Sequence, residues 1–196
     1  MSPDAPRAAA SPLQWADAAC RRRYFYAVWP DAAVGPALAA VAAAEAKRTG
    51  GRATRPANLH LTLAFVGEVA GERRAVLADI GAAAASTASA CTMTVDRIGS
   101  FGDGGIIWLG SDPPPAALAG LAAGLGARLR EAGLRVDRRP FRAHITIARR
   151  CPRPLRAALP SPLTWRVDEL ALATSELRPD GPRYAIVGRW PLTAGE

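Results

Sequence analysis

The chain contains two histidines, His60 and His144, and both fall in the same local pattern: His60-Leu61-Thr62-Leu63 and His144-Ile145-Thr146-Ile147. On a β-strand, residues two apart project from one face. His60 and Thr62 therefore share a face, with Leu59, Leu61 and Leu63 turned to a core. His144 and Thr146 do the same, backed by Ile145 and Ile147. The same parity adds Asn58 beside His60 and Arg142 beside His144. Two imidazoles and two hydroxyls converging on one pocket suit in-line displacement at a phosphodiester. One ring takes a proton from water and the other protonates the departing oxygen on the opposite side. An ordinary imidazole pKa near 6.5 allows one neutral and one charged ring near neutrality, and each proton transfer is worth about 10²–10⁴-fold. Threonine hydroxyls can hold the non-bridging oxygens, and an arginine fork can neutralise them.

A single His-x-Thr on a strand is more often structural than catalytic. Here, however, both copies use the chain's only histidines and occupy corresponding places. A metal site is the sharper alternative, since histidine is a common ligand. Neither strand carries Asp, Glu or Cys, so the remaining ligands would have to come from elsewhere. No metal and no cofactor is expected.

The elements that position these residues can be read from period and punctuation. Residues 24–29 form an aromatic, β-branched run ending at Pro30, and Asp31 offers an N-cap to an alanine-rich helix reaching about Lys47. Gly50, Gly51 and Pro56 mark a loop, and 59–66 alternate as a strand. A helix is expected over 70–86, strands over 92–98 and 105–110, and a helix from Ala116 to Ala132. A strand over 142–148 precedes a proline-rich link at 152–162, then strands near 164–175 and 183–190. The segment around His60 recurs 84 residues later around His144, each preceded by a strand and a helix. The expected fold is α+β and bilobal, with two pseudo-twofold halves, antiparallel sheets lining a central cleft and helices outside. Residues 22–192 make this one domain, and 1–21 a flexible N-terminal extension.

With 25 Lys and Arg against 17 Asp and Glu, the net charge is +8. This suits an anionic partner such as RNA, or equally a surface solubilised by arginine. Cys20, Cys91 and Cys151 have no metal or disulfide spacing and read as incidental thiols in a reducing compartment. Neither a signal peptide nor a membrane span is apparent. A cytoplasmic monomer without an obligate protein partner is expected.

The paired motifs resemble the two-histidine phosphoesterase superfamily, and most closely its RNA 2′,3′-cyclic phosphodiesterase branch. These are the LigT-like proteins historically called 2′-5′ RNA ligases. The resemblance covers about residues 22–192. It rests on Arg23-Tyr-Phe-Tyr-Ala-Val-Trp-Pro30, on Arg55-Pro-Ala-Asn-Leu-His-Leu-Thr-Leu-Ala-Phe-Val-Gly-Glu68 and on Arg139-Pro-Phe-Arg-Ala-His-Ile-Thr-Ile-Ala-Arg149. The closing Ser175-Glu-Leu and Arg189-Trp-Pro-Leu add to it. It implies hydrolysis of RNA or small nucleoside 2′,3′-cyclic phosphates to 2′-phosphates. His60 would donate the proton to the 3′ oxygen and His144 would activate water, with Thr62 and Thr146 on the phosphate. It also implies a phosphate contact for Arg149 and base stacking for Tyr26. Ala143 stands where a proline is usual. Arg149 has the wrong parity for an unbroken strand with His144 and needs a bulge near Ala148; Arg142, with the right parity, is the substitute. Reversible 2′-5′ ligation, cleavage of a related cyclic or 2′-5′-linked nucleotide, and RNA binding without turnover are the alternatives.

Overall fold

A computed structural model describes residues 21–102, 105–137, 139–179 and 181–195. The expected extension lies outside these residues except for Arg21, which opens the first strand. Among the described residues, nine strands and three helices run in the order β1 (Arg21–Val28), α1 (Gly35–Thr49), β2 (Arg52–Ala53), β3 (Leu61–Ala70), α2 (Arg74–Ala85), β4 (Cys91–Phe101), β5 (Gly105–Gly110), α3 (Ala116–Glu131), β6 (His144–Cys151), β7 (Arg156–Val167), β8 (Glu169–Arg178) and β9 (Gly181–Pro191). Helix α1 begins later than expected: the Asp31 carboxylate accepts from the Ala33 and Val34 amides and caps a turn that leads into Gly35. The helix closes at Gly50, whose φ of 72° is the left-handed conformation glycine adopts without strain.

The strands lie in the order β7-β4-β5-β6-β3-β1-β8-β9, with β2 paired to β6. Read from the centre outward, β3-β1-β8-β9 mirrors β6-β5-β4-β7, and every pairing along that path is antiparallel. The halves meet where Leu61 pairs Ile145. These are equivalent positions of the two motifs, so the pseudo-twofold axis passes through this pair. The antiparallel α+β expectation therefore holds, with the two halves joined in one path of strands. The helices cross between halves: α1 packs on β6, and α3 packs on β3.

Two expectations change. The proline-rich stretch is not a link, because Pro160 and Pro162 lie within β7. That strand is an edge pairing only with β4, and the register slips between Val95 and Arg97 opposite the prolines. A missing N–H is tolerated there. The strand expected over 164–175 is two strands, broken at Asp168.

Apolar side chains from the back of the sheet and the inner helix faces form the main core, with Leu38, Leu61, Leu77, Leu125, Leu129 and Ile145 fully enclosed. Tyr26 belongs to this core. Its ring is 0% exposed, and its hydroxyl donates 2.5 Å to the Leu77 carbonyl of α2. The expected base-stacking role for Tyr26 is corrected by this placement, since no ligand can reach the ring. The face of β1 toward the cleft carries Phe25 and Ala27 instead, which pack with Ala173, Trp29 and Tyr184. Tyr26→Phe removes the buried hydrogen bond that ties β1 to α2. It should lower unfolding free energy by about 1–2 kcal/mol in urea titrations while leaving affinity for any nucleotide unchanged; a weakened nucleotide affinity would return Tyr26 to the site.

Candidate functional site

Both histidines are held by their own backbone. His60 Nδ1 lies 2.7 Å from the Asn58 carbonyl and His144 Nδ1 lies 2.8 Å from the Arg142 carbonyl. A carbonyl can only accept, so Nδ1 carries the proton in each ring and Nε2 is left for the cleft. Asn58 is itself tied down, its amide donating 2.8 Å to the Pro182 carbonyl at the start of β9. His60 Nε2 is 3.1 Å from the Thr62 hydroxyl. On either side of the Leu61–Ile145 pair, antiparallel register sets each histidine beside the other motif's threonine. His60 and Thr146 line one cavity, and Thr62 and His144 line the other.

Strand parity alone would send Arg149 into the core. It does not go there, because β6 bulges. Trp108 pairs Thr146 and Ile107 pairs Ala148, so Ile147 is an extra residue with no partner on β5. Ile147 and Ala148 are consequently both buried, and Arg149 returns to the face of His144 and Thr146. Strand β3 bulges at the equivalent Leu63, between the pairs Tyr26–Ala64 and Ala27–Thr62. That turns Phe65 to the cleft, where it is 55% exposed. Phe65 is the counterpart of Arg149, each five residues after its histidine. The 84-residue echo that pairs the histidines also pairs these two residues, and was the available signal for Phe65.

The two sides of the cleft differ. On the His60 side a cavity of about 220 Å³ is lined by His60, Thr146, Arg149 and Tyr184 with further arginines. Burial pushes the Tyr184 hydroxyl pKa up, opposed by the charge of the neighbouring Arg149. On the His144 side a cavity of about 1080 Å³ holds Thr62, Phe65, Phe101, Arg139, Arg142 and His144. Phe65 and Phe101 offer aromatic surface on which a flat ring can stack. Arg142 therefore stands with His144, and Arg149 with His60 and Thr146. Among the described residues no group of three or more His, Cys, Asp and Glu side chains is arranged to hold a metal ion, and no helix is long and apolar enough to cross a membrane.

The imidazoles sit in unlike surroundings. Trp29 stacks on His60 at 5.0 Å with planes 22° apart, Phe25 lies at 5.1 Å and Tyr184 presents its edge at 4.9 Å. Among the described residues His144 has one aromatic neighbour, Phe101, edge-on at 4.9 Å. Burial draws the His60 pKa down to about 4; the Asn58 carbonyl opposes this, and the charges on Arg149 and His144 add to it. His144 is also lowered by burial, opposed by the Arg142 carbonyl and reinforced by Arg139, Arg142 and Arg149. Both rings are thus neutral at neutral pH.

Comparison with known proteins places these features in a family. The model of the 2′-5′ RNA ligase superfamily matches residues 30–178. The chain is 34% identical over 146 residues to an Escherichia coli protein named RNA 2′,3′-cyclic phosphodiesterase, covering 73% of this chain and 81% of that one. A Thermus thermophilus protein of the same name is 32% identical over 178 residues, covering 87% and 90%. Among solved structures, E. coli LigT in apo form superposes with a TM-score of 0.76 at 30% identity, covering 88% of this chain and 98% of that one. E. coli LigT complexed with 3′-AMP gives 0.77 at 30% identity, covering 89% and 99%.

The depressed His60 has a measurable consequence. Its folded-state pKa of about 4 lies below the ordinary 6.5, so the unfolded chain takes up the proton first. This contribution to stability is complete above about pH 6.5 and is lost as pH falls toward 4, amounting to about 3 kcal/mol. Urea unfolding of the wild type and His60→Gln between pH 7 and 4 should show a shallower decline in the variant. Parallel declines would mean that His60 titrates as an exposed imidazole.

Proposed function

The chain belongs to the 2′-5′ RNA ligase superfamily, and on that premise we propose that it hydrolyses RNA and nucleoside 2′,3′-cyclic phosphates to 2′-phosphomonoesters by metal-independent acid–base catalysis. The observation that carries this reading is the pair of backbone-anchored imidazoles at the Leu61–Ile145 junction, each lining a cavity with the other motif's threonine. The names of the E. coli and Thermus relatives agree with it.

In the reaction, Nε2 of His144 takes a proton from water as the water oxygen attacks phosphorus. The bond from phosphorus to O3′ breaks, and Nε2–H of His60 supplies the proton to O3′. The product carries a 2′-phosphate and a free 3′-hydroxyl. The low His60 pKa arises mainly from desolvation, which an incoming anion offsets, and the Trp29 face adds cation–π stabilisation to the imidazolium. His144 faces the charges of Arg139, Arg142 and Arg149, which favour the neutral ring a base requires. Thr62 and Thr146 donate to non-bridging oxygens, and Arg149 offsets charge developing on them. Phe65 takes the base-stacking role once expected of Tyr26. The substrate class is RNA ends and small cyclic nucleotides, and the protein acts as a cytoplasmic monomer.

His60→Ala and His144→Ala should each lower kcat/KM on 2′,3′-cyclic AMP by at least about 10²-fold, with circular dichroism unchanged. Wild-type turnover should persist in EDTA, with phosphorus NMR showing 2′-AMP as the product. Undiminished activity in either variant would remove the mechanism. A 3′-AMP product would reverse which oxygen leaves.

A further inference from the structure

The reading of His60 as donor to O3′ fixes how the rest of a nucleotide must lie. In a ribose 2′,3′-cyclic phosphate the base hangs from the carbon next to C2′, and the 5′ arm from the carbon next to C3′. If O3′ faces His60, the base extends toward the His144 side, where Phe65 and Phe101 lie. The 5′ arm then extends toward the smaller cavity beside His60.

That cavity is built for an anion. Besides Arg149 it is lined by Arg52, Arg55, Arg150 and Arg178, and among the described residues no carboxylate lines it. Arg178 also bonds Glu176 at 3.1 Å, outside the lining. Two local features of β6 put arginines there. Strand β2 pairs Arg52 with Arg149 and brings the guanidinium-bearing loop before His60 against β6. Past the Ile147 bulge the strand slips again, since Ile106 pairs Arg149 and Gly105 pairs Cys151, leaving Arg150 unmatched. Arg150 adopts φ 57°, the left-handed region that a side chain such as arginine rarely occupies. In a regular strand consecutive residues face opposite ways; here Arg149 and Arg150 are both exposed and line one cavity, while Cys151 returns to the core. Backbone strain of this kind persists where the surrounding structure holds it, often at a ligand site.

We propose that this arginine pocket binds the phosphate on the 5′ side of the terminal nucleotide. The protein thereby favours RNA ends, which always carry that phosphate, over free nucleoside cyclic phosphates. The inference rests on the proposed hydrolysis only for the orientation of the sugar, so the two can be tested apart. Adenosine 2′-monophosphate and adenosine 2′,5′-bisphosphate differ only in the 5′ group. Calorimetric titration of the full chain should show the bisphosphate binding about tenfold more tightly. Arg52→Ala and Arg178→Ala should each shrink that ratio, and the ratio should fall with added salt. Equal affinities for the two ligands, or a ratio unchanged in both variants, would overturn the pocket assignment. Turnover of 2′,3′-cyclic AMP, measured alongside, tests the other reading. Turnover without a 5′-phosphate gain counts against the pocket alone, and a gain without turnover counts against hydrolysis alone while supporting the pocket.

Discussion

The site depends on one antiparallel contact, the pairing of Leu61 with Ile145. These residues are equivalent in the two repeats, so their pairing places a local twofold axis between the motifs. Everything polar follows from that register. The residues flanking the pair are His60 and Thr62 on one strand and His144 and Thr146 on the other, and antiparallel geometry crosses each histidine with the opposite threonine. Both members of the central pair are 0% exposed. A one-residue slip would turn buried leucine and isoleucine into the cleft and the histidines into the core, so the hydrophobic face enforces the polar one.

The twofold frame creates two equivalent binding positions, and the sequence then makes them unequal. At the fifth residue after each histidine a matching bulge presents Phe65 in one half and Arg149 in the other. The first lines its cavity with an aromatic face and the second lines the other with a positive charge, so the two sides of the cleft differ. The surroundings of the histidines diverge in the same sense. Three aromatic rings enclose His60, whereas arginine charges act on His144. A symmetric scaffold supplies two equivalent imidazoles, and the asymmetric shell gives them unlike surroundings.

Much of this was legible from residue order. Parity of the alternating segments set each histidine and its threonine off the buried face, because the other face of each strand is uniformly aliphatic. The 84-residue echo pointed to the twofold. Three things were not legible, for identifiable reasons. In Tyr24-Phe25-Tyr26 every position is aromatic, so no alternation reveals which ring faces the core; Tyr26 does, and Phe25 faces the cleft. Bulges leave no local composition signal, so the cleft positions of Phe65 and Arg149 follow only from the strand registers. Prolines in 152–162 suggested a link because their tolerance depends on β7 being an edge strand, which is a property of the whole sheet.

Two imidazoles that flank a single anion must titrate together with it, and a chain with two histidines permits a direct measurement. Histidine-selective isotope labelling gives two imidazole signals in NMR, assigned with His60→Gln. In the free protein both should titrate below 6.5, with His60 near 4. Saturation with adenosine 2′-monophosphate should move both titrations to higher pH together. An imidazole that titrates near its ordinary value and ignores the ligand would show that the two histidines do not share one phosphate.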